Sequence, residues 1–404
     1  MIPVARPSVG QAELDAVAHV FQSGWLGLGE TTYAFEEAIK QRLGCRQVVA
    51  VNTGSSALHI ALAGFGIGPG DEVIVPSLTF AASVQVILAV GATPVFCESA
   101  EDTLLMDIDD VERRVTDRTK AVMPVHYAGQ PCDMDRLLAV AARQGFVVIE
   151  DAAHAFGSTS QGRPIGSFGH ATCFSFDPIK MLTCGEGGAV ALADEAIAEK
   201  IRQMRLLGID RDAWRRYQQA RSWYYEVTMS GFRYHMPNFC AAIGLAQLGR
   251  VDQMMARRQT ICRRYDQAFR SLRSVRPLTV DYEQTAPQLY IVRVPSDRRE
   301  AFMGFLATRG VGTGIHYIAN HLQPFFAQYL REPLPRAERL WQEIVSLPLY
   351  SDMTDGQVQT VIQAVTAFDR TARPAGGRGK DAGGRNTRAL SVASGGRQGE
   401  NEEL

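Results

Sequence analysis

The sequence predicts an α/β fold: a large domain around a mostly parallel sheet, then a smaller C-terminal α/β unit. Two observations carry this. Between residues 48 and 190, short runs rich in Val and Ile alternate with longer amphipathic runs. Turn signals such as Gly68-Pro69-Gly70-Asp71 separate the runs. Strand–helix alternation over this length implies crossover connections, which set strands side by side in parallel. The strand candidates are 48–52, 72–76, 94–97, 121–125, 147–150, 171–176 and 188–193, and the helix candidates between them are 56–65, 81–90 and 134–144. A long charged helix-like stretch at 247–271 leads into the smaller unit, with a strand candidate at 288–294 and a helix candidate at 299–309. The expected divisions are 1–250 for the large domain with its N-terminal arm, 251–370 for the small domain, and 371–404 for a tail. The tail is rich in Gly, Arg, Ser and Ala and holds no aromatic residue. It is expected to be disordered, because it buries too little apolar surface to offset its chain entropy.

Bulk properties narrow the function classes. The chain has 404 residues and a formal net charge of -1. That balance argues against nucleic acid as the main partner, since phosphate backbones call for clustered Lys and Arg. The seven cysteines are odd in number and form no CxxC pair, which points to reduced thiols in a cytoplasm and to no thiolate metal site. The N-terminus lacks the apolar core of a signal peptide. Residues 79–97 carry no charge, but Gln85, Gly91, Thr93 and Pro94 break them into a helix and a strand, so no membrane span is expected.

Three blocks bear chemistry. The first, Asn52-Thr53-Gly54-Ser55-Ser56, follows a strand candidate and opens a helix. Glycine lets the backbone approach an anion, and free N–H groups with two hydroxyls can hold a phosphate. The same pattern also suits an ordinary Ser N-cap after a glycine turn. The second block, Val147 to His154, ends an apolar strand on Asp151. Ligands of open α/β sheets gather outside such carboxyl ends, where a carboxylate can pair with a cationic ring nitrogen of pyridoxal 5′-phosphate (PLP). Asp151 could equally cap the next turn. The third block runs from Cys173 through Ser175 to Lys180 and on to Gly185-Glu186-Gly187-Gly188. Lysine is the residue that forms Schiff bases once burial or nearby cations lower its pKa, and the glycines let the backbone pack close to a flat ring.

The segments TGSSALHIAL, PSLTFAAS, EDAAHAFGS, SFDPIKMLTCGEGG and GFRYHMPNFCAAIGLAQL resemble, in this order, the DegT/DnrJ/EryC1/StrS family of nucleotide-sugar aminotransferases. The resemblance spans residues 3–369 and implies PLP-dependent transferase fold type I, the aspartate-aminotransferase fold. It implies that Lys180 is the Schiff-base lysine and proton carrier and that Asp151 pairs with the pyridine nitrogen. It places His154 at the ring's phenolic oxygen, Phe80 on the ring face, and Gly54, Ser55 and Ser175 around the phosphate. Family members commonly read G-x-N-Y-R-M where this chain reads Gly231-Phe232-Arg233-Tyr234-His235-Met236. Arg233 therefore stands where an Asn would cross a dimer interface to the phosphate. It either takes that role by charge-assisted bonds or leaves it to Asn238 or water. Trp25 resembles part of a sugar-binding turn, and His316 with Tyr317 part of a substrate-side motif; either could instead be structural. His126 and Tyr127 follow another strand and receive no role.

The resemblance thus implies a PLP aminotransferase moving an amino group from L-glutamate to a nucleotide-linked keto-sugar, in a homodimer with shared active sites and without metal. The alternatives are a PLP-dependent sugar dehydratase, in which a histidine replaces the lysine, and a non-catalytic PLP- or sugar-binding regulator.

Overall fold

In the computed structural model, which describes residues 1–210 and 223–371, the Val- and Ile-rich runs are strands of one sheet. They are β1 (Gln47–Val51), β2 (Glu72–Pro76), β3 (Thr93–Cys97), β4 (Thr119–Val122), β5 (Val147–Asp151), β8 (Ala171–Ser175) and β9 (Gly188–Leu192), with a two-stranded ribbon of β6 (Thr159–Ser160) and β7 (Arg163–Pro164) inserted before β8. The order is β1-β9-β8-β5-β4-β2-β3. From β8 to β3 all neighbours are parallel, and β9 alone runs against both of its neighbours. Strand β2 is buried at all five residues, as expected of a strand covered on both faces. The covering helices of this part are α1 (Gln11–Ser23), α2 (Glu30–Leu43), α3 (Gly54–Gly64), α4 (Ala81–Ala89), α5 (Ile108–Arg114), α6 (Met134–Gln144), α7 (Glu195–Met204) and α8 (Asn238–Leu248).

A long helix α9 (Val251–Phe269) leads to a three-stranded antiparallel sheet of β10 (Arg276–Pro277), β11 (Tyr290–Arg293) and β12 (Ile344–Leu347), flanked by α10 (Arg299–Ala307), α11 (Pro335–Glu343) and α12 (Asp355–Thr371). A separate apolar cluster lies here, containing Tyr265, Phe269, Tyr290, Phe302 and Val361. The first residues of the chain reach it: the Ile2 N–H donates to Gly310 O at 2.6 Å, and the Leu349 N–H to Val4 O at 3.0 Å.

Three expectations need correction. The strand expected over 121–125 ends at Val122, because Pro124 has no N–H to give a ladder and the chain turns away toward the cleft. Val125 keeps only an isolated bridge to Asp151. The continuous helix over 247–271 is two helices, α8 and α9, parted at Gly249 and Arg250. The helix over 299–309 stops at Ala307, where Gly310 (φ 71°) turns the chain. The stretch 79–97 is α4 and β3, and among the described residues no helix is long and apolar enough to cross a membrane. The residues expected to be a tail lie, from 372 onward, outside the described residues.

Candidate active site

Parallel strands discharge their C-terminal ends at one edge of the sheet, and the chemistry collects there. Strand β5 ends on Asp151, β8 ends on Ser175 just before Lys180, and the start of α3 brings Gly54 and Ser55 alongside. Together with Phe80, His154 and Tyr317 they line one cleft of about 420 Å³.

Asp151 is 5% exposed, and both of its carboxylate oxygens accept hydrogen bonds. Oδ2 takes the Ser83 hydroxyl at 2.7 Å, and Oδ1 takes the Ala153 N–H at 3.1 Å. Asp151 thus caps the following turn and also faces the cleft. Ser83 is anchored by Thr79, their hydroxyls 2.8 Å apart, on a helix whose other side chains are mostly apolar.

Lys180 ends a tight turn: its N–H donates to Asp177 O at 3.1 Å, and the preceding carbonyl of Ile179 accepts from Gln288 Nε2 at 2.8 Å. Burial lowers the proton affinity of its ammonium, against the opposing pull of Asp177 and Asp151. An amine depressed in this way is closer to the free base that attacks a carbonyl.

His154 is buried and neutral. Burial holds its pKa well below the ordinary value, and Lys180 and His316 add to the effect. Its Nε2 lies 3.1 Å from the Tyr317 hydroxyl and its ring stacks on Tyr317 at 6.1 Å, while Nδ1 is buried without a partner. Tyr317 in turn lies 5.6 Å from Phe80, ring to ring. Burial first, then Asp151 and Asp177, raise the Tyr317 pKa, so its hydroxyl keeps its proton. His316 points elsewhere: its Nδ1 lies 2.7 Å from Ser346 Oγ, and burial, with Lys180 second, lowers its pKa to about 4.

The phosphate end is a tight cradle. A Cβ added to Gly54 would lie 2.6 Å from Ser175 Cβ, so only glycine lets α3 begin this close to β8. The N-cap of α3 is Thr53 rather than a serine: its Oγ1 accepts from the Ser56 N–H at 3.0 Å. That leaves Ser55 exposed at the helix start, with N–H groups free for an anion. A carboxylate at one end, an anion cradle at the other and an activated lysine between them suit a phosphorylated ring with a basic nitrogen.

The model of the DegT/DnrJ/EryC1/StrS aminotransferase family matches residues 7–366. The chain belongs to this family. Among curated relatives, the spore coat polysaccharide biosynthesis protein SpsC of Bacillus subtilis is 42% identical over 373 residues, 90% of this chain and 96% of SpsC. Among solved structures, Spr1654 of Streptococcus pneumoniae in its PMP form is 30% identical with a TM-score of 0.87, covering 92% of this chain and all of that one (100%). The sugar aminotransferase CalS13 of Micromonospora echinospora is 31% identical with a TM-score of 0.84, covering 91% and 100%. With the mostly parallel sheet, these relationships give this family member fold type I and make it an aminotransferase.

Besides His316, two residues that the family resemblance singled out lie outside the lining of this cleft of their own chain. Trp25 donates its Nε1–H to Leu28 O at 2.8 Å. Arg233 is exposed, on a backbone bridge to Leu206. Asn238, the alternative to Arg233, is buried and engaged: its Oδ1 accepts from the Thr32 N–H at 3.0 Å and its Nδ2 donates to Trp25 O at 3.0 Å. Sequence reasoning missed Thr79, Ser83, Asp177 and Glu186. Ser83 had a signal, a lone hydroxyl inside the apolar run AASVQVILA; Asp177 and Glu186 stood inside quoted blocks without a role.

Proposed function

We propose that this chain uses PLP, bound in the cleft, to move the amino group of L-glutamate to a keto-sugar carried on a nucleotide, in the cytoplasm and as a homodimer. The observation that carries the reading is one cleft holding a depressed lysine, a fixed carboxylate and a glycine-built anion cradle. PLP when bound supplies an electron sink that stabilises carbanionic character at the carbon losing or gaining nitrogen. The residues around it divide the remaining work. Gly54, Ser55 and Ser175 would hold the phosphate. Asp151, oriented by Ser83, would keep the ring nitrogen protonated. Phe80 would cover the ring, and neutral His154 would face its oxygen. Lys180 Nζ would anchor the cofactor and carry the proton to and from the reacting carbon. Tyr317 stands over His154 at the substrate side, with His316 behind it. The polysaccharide assignment of SpsC and the sugar assignment of CalS13 support a sugar acceptor, and seven unpaired cysteines accord with a reducing compartment.

The position that a dehydratase would fill with histidine is Lys180 here, which favours transamination over that alternative. Binding without turnover is separated from it by experiment. Protein incubated with PLP is expected to show a visible imine band that L-glutamate converts to the pyridoxamine absorbance. Amino transfer to a panel of nucleotide-linked keto-sugars is then read by mass spectrometry. Borohydride reduction should trap the label on Lys180, and Lys180→Ala should lose both band and turnover. A visible band that glutamate leaves unchanged would refute the donor assignment.

A further inference from the structure

Behind Asp151 lies a second carboxylate that the site as described does not use. Glu150 and His126 are both fully buried at 0% exposed, and an isolated charge there would be costly. The pair is completely bonded instead. Glu150 Oε1 accepts the Thr172 hydroxyl at 2.7 Å, and Oε2 lies 2.9 Å from His126 Nε2. The Cys132 N–H donates to His126 Nδ1 at 3.0 Å, so Nδ1 carries a lone pair and the ring proton sits on Nε2, facing Glu150. Burial disfavours a second proton on the ring, while Cys132 and Glu150 push its pKa up, to about 10. The Cys132 N–H, donating to Nδ1 at 3.0 Å, needs a lone pair there, and that geometry leaves the ring its single proton on Nε2. Both Glu150 oxygens accept and neither donates. The cluster therefore carries one net negative charge, on Glu150.

The same residues fix the backbone of Asp151. The His126 N–H donates to Asp151 O at 3.1 Å, and the Asp151 N–H donates to Pro124 O at 2.8 Å. Thr172 is the β8 partner of Glu150, so its bond ties β5 to the strand that ends on Ser175. Space around Glu150 is tight: a Cβ on Gly169 would lie 2.6 Å from Oε1.

We propose that the Glu150 carboxylate, hydrogen-bonded by His126 and Thr172, is a positioning residue for Asp151 that sets a second negative charge behind the ring-nitrogen end of the cleft. This rests on the reading that PLP occupies that cleft. Neighbouring residues of a strand point to opposite faces, so Glu150 acts through the field and the shared backbone and touches no cofactor. Two carboxylates hold a proton on a ring nitrogen, and on an imine at Lys180, more firmly than one. The other titratable groups around the pair are His170, Cys132 and Cys173, and those around Lys180 are Asp177, Asp151, His154 and His316.

The test is Glu150→Gln in the PLP-loaded protein, since glutamine can satisfy His126 and Thr172 while removing only the charge. The visible band should titrate at lower pH than in the wild type, and kcat should fall about tenfold with KM for glutamate held within about twofold. Thr172→Val removes one hydrogen bond without changing charge, and its band should titrate where the wild type does. An unchanged midpoint in Glu150→Gln, or an equal shift in Thr172→Val, overturns the proposal while leaving the PLP reading intact. If the wild type itself forms no band with PLP, both fall. A measurement on the cofactor-free wild type covers the case in which Glu150→Gln does not fold: long-range ¹H–¹⁵N spectra should find His126 neutral with its proton on Nε2. An imidazolium there would cancel the Glu150 charge and overturn the proposal.

Discussion

Asp151 and the two cleft histidines illustrate how burial assigns roles one residue at a time. Asp151→Asn keeps the shape and the Ser83 contact but removes the charge that a cationic ring nitrogen needs. Turnover is expected to fall by about 10² or more, roughly 2.7 kcal/mol of barrier, while PLP stays bound through Lys180 and the phosphate cradle. Steady-state kinetics beside a binding titration check this, and near-normal kcat would mean that another group supports the ring. The histidines make a claim about pH. His154 and His316 both have folded pKa values below the unfolded value, His316 at about 4. In the unfolded chain they take up a proton near pH 6.5, so the unfolded state binds more protons below that pH. Stability contributed by their neutral forms is therefore complete above about pH 6.5 and is lost as pH falls toward 4, by at most about 1.4 kcal/mol per pH unit for each group. Urea unfolding at pH 7 and pH 5 should show the loss. His316→Gln, which can still reach Ser346, should flatten the slope, and an unchanged slope would remove His316 from this account.

At the scale of elements, the start of α3 against the end of β8 is the contact most sensitive to a single methyl group. Gly54→Ala would drive Cβ into Ser175, where the nearest atom lies 2.6 Å away. Either α3 shifts or Ser175 does, and both line the phosphate end. PLP affinity is expected to drop at least tenfold, measured by fluorescence titration, while the fold persists because the Thr53 cap and the apolar face of α3 are untouched. Unaltered affinity would mean that the cradle tolerates the displacement. The elements around this contact were legible in the sequence because apolar runs bounded by turns fix strands of the kind seen in β2 and helices of the kind seen in α6. What was hidden depends on neighbours far along the chain. That β9 runs antiparallel to β1 and β8 is a matter of pairing, to which a strand's own residues are indifferent. That β4 stops at Val122, by contrast, was legible in Pro124, which has no N–H to give a ladder. In the site, Lys180, Asp151, Gly54, Ser55, Ser175, His154, Phe80 and Tyr317 converge on one cavity. Ser83 and Thr172 were missed because a hydroxyl in an apolar element announces a hydrogen bond without naming its partner.

At the scale of the whole molecule, the charge of the cleft bears on the proposed homodimer. Among the described residues lining it, Asp151, Asp177 and Glu186 are carboxyl groups and Lys180 is the one cation. Burial first, then the Asp177 carboxylate, raises the Glu186 pKa. A cofactor phosphate, a dicarboxylate donor and a nucleotide-linked acceptor would all bring more negative charge into this cleft, so one chain is electrostatically incomplete for the proposed reaction. Arg233 is exposed and stands outside its own cleft, as a residue that serves a partner would. A symmetric dimer would let each chain lend this guanidinium to the other, with bidentate bonds to phosphate or carboxylate. Mixing two inactive variants tests this, one with Lys180→Ala and one with Arg233→Ala. If the sites are shared, a mixed dimer gathers both lesions into one site and leaves the other whole. After random exchange about half the dimers are mixed, so activity should recover to about a quarter of the wild type. Exchange is verified by native mass spectrometry. Exchange without recovery would mean that Arg233 acts within its own chain, and an Arg233→Ala variant that is active by itself would mean that Arg233 takes no part and that the positive charge comes from elsewhere.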